Sequence, residues 1–234
     1  VARPPEEGSP RLVYARSYAD FNIWRVDTSA PGAPAPSPPV QAIASTRRDT
    51  LAHVSPDGKR LAFISDRAGE SEIWVADASG ANAMPLTSLG ANPGFPRWSP
   101  DGQTVAFHTN TEDRPRADIY LVAAGGGKIR NLTMHDENDV FASFSRDGQW
   151  VYFCSHRSGT PFIWKIPVSG GDAVKVSLTP ALFAMESTDG SSVFYVENPT
   201  TNRPGPLWQL PVNPPGGSPV ELAGNVLSDS FHVN

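Results

Sequence analysis

Apolar residues in this chain come in short runs separated by turn residues, and no stretch keeps a helical period. Four times the runs follow one order. A first apolar run (50–54, 94–98, 140–144, 182–186) leads into an Asp-Gly pair. A second run, rich in β-branched and aromatic residues, follows at 60–65, 104–109, 150–155 and 192–197. After a longer polar stretch comes a third run, marked by an aromatic at Trp74, Tyr120, Trp164 and Trp208. A Gly-rich turn then opens a fourth run at 83–87, 128–133, 173–177 and 219–223. The pattern predicts four-stranded antiparallel sheets joined by hairpins. Alternation within the strands is weak, which predicts sheets packed on both faces.

Two marks give the period. The turn aspartates Asp57, Asp101, Asp147 and Asp189 are spaced by 44, 46 and 42 residues. The third-run aromatics begin earlier, at Trp24, and the longer first step of 50 is explained by the Pro-rich insertion 30–39. Four strands at such a period make one blade of a β-propeller. The expected fold is therefore all-β, a single propeller domain over 1–234 with about five blades at 11–45, 49–88, 93–134, 139–177 and 181–223. The first blade lacks its own first strand, while 228–234 matches 49–55. Strand 228–234 would then close a five-bladed ring and leave no exposed sheet edge. The alternative is an open piece of a six- to eight-bladed ring. A closed ring predicts a monomer, an open one self-association.

In each turn Gly58, Gly102, Gly148 or Gly190 supplies a positive φ, and the preceding Asp accepts from nearby amides. Four identical placements in four repeats argue for turn structure and against a catalytic series.

Composition narrows function mainly by exclusion. With 39% hydrophobic and 18% charged residues, the 234-residue chain reads as globular. The net charge of −5 and the lack of a basic stripe exclude nucleic-acid binding by phosphate neutralisation. No apolar run is long enough to span a membrane. Cys154 is the single cysteine, so no internal disulfide forms, and its place in "VYFCS" predicts a buried small hydrophobe. The chain opens on Val1 without a signal-peptide pattern, as a fragment would.

The unit "WSPDG…AF…SDR.G…IW…GG…LT" resembles the TolB-like, Pro-Asp-repeat β-propeller, a relative of the WD-repeat propellers, over about 11–234. The fourth copy departs with "STDG", and the Ser-Asp-Arg element is complete only at Ser65-Asp66-Arg67. The opening "LVYARSYADFNIWRVD" is similar to propellers attached to bacterial winged-helix transcriptional regulators. The resemblance implies a short menu: a periplasmic partner-binding protein such as TolB itself, the sensor half of a regulator, or the gating propeller of a prolyl-oligopeptidase-like or tricorn-like peptidase. Fold alone does not choose among them. The expected function is a non-enzymatic binding module, a sensory or scaffold part of a larger bacterial protein. The competing class is an enzyme, either a peptidase propeller or a metal-dependent hydrolase with its site in the channel.

Function rides on loops carried by a rigid scaffold. The long second-to-third and inter-blade loops share one face, which is the expected docking face for a protein or small-molecule ligand. Its candidate residues are Arg47, Arg48, Asp66, Arg67, His108, Arg114, Arg116, His135, His156 and Arg157. The arginines suit a carboxylate clamp, or else they pair with local acids such as Asp49, Asp66 or Asp113. Asp136, Glu137 and Asp139 offer oxygens to Ca²⁺, although the spacing is not that of an EF-hand loop; no other cofactor is expected. His53 and His232 hold one repeat position near the channel, with Arg97, Ser143 and Met185 as counterparts. No G-x-S-x-G elbow or complete P-loop is present. "NLT" at 131–133 matches a glycosylation acceptor, but its recurrence as "PLT" at 85–87 marks it as part of the repeat.

Overall fold

A computed structural model describes residues 21–26, 38–197, 205–212 and 217–226. Strands β1 (Ile23–Arg25) and β2 (Val40–Ile43) pair as a two-stranded sheet. Four antiparallel four-stranded sheets follow. The first holds β3 (Asp49–Val54), β4 (Arg60–Ser65), β5 (Glu72–Asp77) and β6 (Met84–Pro85). The second holds β7 (Gly94–Trp98), β8 (Thr104–Thr111), β9 (Arg114–Ala123) and β10 (Arg130–Asn131). The third holds β11 (Asp139–Phe144), β12 (Trp150–Ser155), β13 (Phe162–Pro167) and β14 (Val174–Lys175). The fourth holds β15 (Ala181–Glu186), β16 (Ser192–Glu197), β17 (Gly205–Pro211) and β18 (Val220–Val226). The architecture is all-β, as the repeat predicts. The segments 11–17 and 228–234, on which ring closure turns, lie outside the described residues.

The sheets β3–β6, β7–β10 and β11–β14 each bury both faces. On β4, Leu61 and Phe63 pack with Ile43, Trp74 and Ala76 toward the preceding sheet. Their neighbours Ala62 and Ile64 pack with Trp98, Val105, Phe107 and Tyr120 of the following sheet. The next two interfaces repeat this, with Phe144, Val151 and Phe153 in one and Tyr152, Cys154, Val193 and Tyr195 in the other. Successive side chains of a strand point to opposite faces, so a strand buried on both faces needs apolar residues at consecutive positions. That explains the weak alternation. Cys154 is fully buried, and burial raises its pKa to about 12, as expected of an inert packed thiol.

The turns share one hydrogen-bond circuit. Ser55, Ser99, Ser145 and Ser187 each donate from Oγ to Oδ1 of the aspartate two residues on, at 2.6 Å. The same Oδ1 accepts from the amide of Lys59, Gln103, Gln149 or Ser191. The glycine, at φ between 66 and 71°, returns its amide to the serine carbonyl. These bonds favour the charged carboxylate and pull all four aspartates below the usual range, Asp189 to about 2. The intervening residue is Pro56, Pro100, Arg146 or Thr188 without change to the turn. Serine and aspartate, not proline, are what the turn requires.

Candidate functional site

The first strands β3, β7, β11 and β15 run side by side along the molecular axis. Trp98 donates its amide to His53 Nδ1 at 3.1 Å and its indole N–H to the His53 carbonyl at 3.0 Å. Ser143 Oγ donates to the Ala184 carbonyl at 2.7 Å. Each of these strands also carries a β-bulge, where its register to the second strand shifts. Leu51, Phe95 and Phe141 sit in three of the bulges at φ of 54, 50 and 60°, a region rarely used by bulky residues. The bulges turn side chains onto the axis.

At the long-loop end of the axis this produces an aromatic layer. Phe141 meets Phe183 at 4.1 Å and Phe95 at 4.7 Å between ring centres, with Phe95 and Phe183 5.7 Å apart. His108 stacks on Phe95 and accepts the Phe141 amide at Nδ1. Gly94 makes room for it, since a Cβ there would lie 2.5 Å from His108 Nε2. Burial lowers the His108 pKa to about 4, so the ring is neutral at pH 7. His108 was expected on the docking face; it belongs instead to the axial packing. The polar stretch after the second run at 104–109 is not a loop throughout, because β8 and β9 extend into it and pair Thr111 with Arg114.

At the other end, beside the Ser-x-Asp-Gly turns, the axis opens into a cavity of ≈ 280 Å³. His53, Arg97, Ser143 and Met185 line it together, as their shared repeat position predicts. Trp98, Phe144 and Glu186 complete much of the wall. The counterpart His232 lies outside the described residues.

On the long-loop face several candidates prove structural. Arg67 donates to the buried Asp49 at 2.7 Å and to Ser65 Oγ, and lies over the Phe63 and Trp74 rings. Arg157 repeats this with Asp139 at 2.8 Å, Ser155, Phe153 and Trp164. Neither is free to clamp a ligand. Asp139 was also an expected Ca²⁺ ligand; its carboxylate is turned into the sheet toward Arg157, and burial raises its pKa. Asp136 and Glu137 are exposed, and among the described residues no three His, Cys, Asp or Glu side chains are grouped to hold a metal ion. Asp66 accepts the Arg48 amide at 2.9 Å and so ties two loops together. The His156 ring holds a buried Nδ1 with no hydrogen-bond partner.

Buried acids Glu72 and Asp118 were not singled out in the sequence. Glu72 accepts from Thr87 Oγ1 and the amides of Leu89 and Gly90. Asp118 accepts from Arg114, Asn131, Thr133 and the His135 amide. The Thr of the "LT" pair in turn accepts the first amide of the third strand's apolar run, at Ile73 and Ile119. These bonds fasten the inter-blade loops to the sheets.

One part of this face is concave. Asp113, Arg114, Pro115, Arg116, His135 and Asp136 line a groove of ≈ 270 Å³ between the β8–β9 hairpin and the loop after β10. Arg114 bridges its walls, donating to Asp118 and to the His135 carbonyl. Arg116 is exposed, and Met134 beside His135 is 70% exposed. Arg47 and Arg48 are exposed as well, with Arg48 over the Phe21 ring.

Sheets of four antiparallel strands around a common axis define a β-propeller. The chain belongs to the TolB beta propeller domain family, whose match runs over residues 53–203. It is 35% identical over 85 residues to the uncharacterized peptidase YuxL of Bacillus subtilis, covering 36% of this chain and 12% of that protein. It is 33% identical over 66 residues to the TolB homolog of Chlorobaculum tepidum, covering 28% of this chain and 15% of that protein. The match thus reaches only a small part of either relative's length. The structure of a putative TolB from Agrobacterium tumefaciens superposes with a TM-score of 0.69 at 22% identity, over 83% of this chain and 73% of that one. That likeness speaks to fold.

Proposed function

We propose that this propeller is a protein-binding module, without catalysis of its own, that docks a partner at the groove between the β8–β9 hairpin and the loop after β10. The observation that carries the reading is a concave site lined by exposed Arg116, with exposed Met134 next in sequence to its lining residue His135. Interface hot spots favour an arginine and a large side chain that enter a pocket and lose water, and methionine adapts to irregular partner surfaces. The groove rests on a rigid base, because Arg114, Asp118 and Asn138 tie its walls to the sheet. A small-molecule ligand at the same groove is the lesser form of this reading.

The test is photo-crosslinking in a bacterial host that carries the natural gene. A crosslinker at Met134 is expected to give one discrete adduct, and one at Met84, exposed in β6, to give none. Equal labelling from both positions, or from neither, overturns the groove assignment. The likeness to peptidase YuxL favours a second reading, in which the chain is the propeller of a larger peptidase. Hydrolysis of aminoacyl p-nitroanilides by the 234-residue chain is expected to be absent; turnover would overturn the non-enzymatic reading.

A further inference from the structure

We propose that the cavity at the turn end of the axis binds the carboxylate of a compact, apolar acid, with Arg97 as the anchoring cation. This site is separate from the long-loop groove and stands or falls independently of it.

Arg97 is the residue out of place. Among the described residues its one hydrogen bond runs from Nη1 to the Pro96 carbonyl at 3.3 Å, and no carboxylate pairs with it. Arg67, Arg114 and Arg157 each have a buried acid. Glu186, the one acid on the cavity wall, is already engaged: Oε1 accepts from the Tyr152 hydroxyl at 2.9 Å and Oε2 from the Arg146 amide. The wall therefore carries Arg97 and Arg146 against a single committed carboxylate.

Arg97 is desolvated enough for burial to lower its pKa. A partly desolvated cation with no acid beside it among the described residues costs stability, and a bound carboxylate supplies the missing charge. One guanidinium fork matches one carboxylate by two parallel hydrogen bonds. A phosphate dianion would leave charge unmet there. Besides His53 and Ser143, the rest of the wall is Val54, Pro56, Trp98, Pro100, Phe144 and Met185, which suits an aliphatic or aromatic body of limited size. A free organic acid and the C-terminal residue of a peptide share this chemistry.

Isothermal titration of the 234-residue chain separates these sources. The probes are phenylacetate, its uncharged analogue phenylacetamide, and N-acetyl-glycyl-phenylalanine with a free C-terminus. Phenylacetate is expected to bind one to one, and phenylacetamide not to bind. Arg97→Met is expected to weaken phenylacetate by at least about tenfold, with Arg97→Lys between the two. Tighter binding of the peptide than of phenylacetate assigns the site to peptide C-termini; binding of phenylacetate alone assigns it to free acids. No heat with either acid, or acid binding that Arg97→Met leaves unchanged, overturns the proposal. The melting temperature of Arg97→Met provides a second reading. It is expected to equal or exceed the unsubstituted chain's, and a clear fall would make Arg97 a structural residue and also overturn the proposal.

Discussion

At the long-loop end of the axis, Phe95, Phe141, Phe183 and His108 pack ring on ring. A few residues further along the same strands, Arg97, Ser143 and Met185 face open space. Both ends are built from repeated positions of the same strands. The bulges at Phe95 and Phe141 set the backbone of the aromatic end apart, and polar satisfaction separates the two ends further. His108, the only polar ring in the aromatic layer, accepts a backbone amide and stays neutral. Arg97 is charged and has no acid beside it among the described residues. Buried polar groups in folded proteins are normally hydrogen-bonded, so the dry end reads as scaffold and the cavity end as a place where something binds.

Acid should have the largest effect on this contrast. The folded-state pKa of His108 is about 4, below the usual 6.5, so the unfolded chain takes up a proton first as pH falls. The contribution of His108 is thus intact above about pH 6.5 and is lost as pH drops toward 4, by roughly 3 kcal/mol in all. Urea midpoints at pH 7, 5 and 4 should fall more steeply for the unsubstituted chain than for His108→Phe, and parallel profiles would show that the aromatic layer is not dry. Phe141→Ala comes next. It removes the ring shared by Phe95, Phe183 and His108, and should cost roughly 2–4 kcal/mol in denaturant melts. A loss below about 1 kcal/mol would mean the layer contributes little. Ser143→Ala, which strands the bond to Ala184 beside the cavity, should cost about 1 kcal/mol. Arg97→Met should show the smallest change and the opposite sign, a gain of up to about 1 kcal/mol.

The sequence carried the blades clearly because their turns make demands that few residues meet. A glycine at positive φ and an aspartate accepting nearby N–H groups leave a readable mark every time. The serine at the head of each turn is equally regular, whereas proline is present in only two of the four copies. The site was harder to read. Arg67 suited either a ligand clamp or a pair with Asp49, and strand pairing brings Asp49, 18 residues away, against it; Arg157 meets Asp139, not named as its partner, in the same way. His108 looked like a loop residue because its strand runs on through polar positions to Thr111. Arg97 drew notice only as the counterpart of His53, since a lone cation in an apolar run says nothing about whether an acid will reach it. The regulator-like opening of the chain, 12–27, lies mostly outside the described residues.

The serine–aspartate turns also bear on how the chain is made. While separate bonds, such as Arg60 to the Gly102 carbonyl and the Arg146 amide to Glu186, reach the next blade, each turn closes its serine–aspartate circuit within one short segment, as from Ser55 to Arg60. Contacts this local in sequence form early and fast. A hairpin emerging from the ribosome can therefore complete its turn before the next repeat has been translated, and blades are added in order to a growing stack. The interfaces between blades come later, and they are where folding is slow enough to fail.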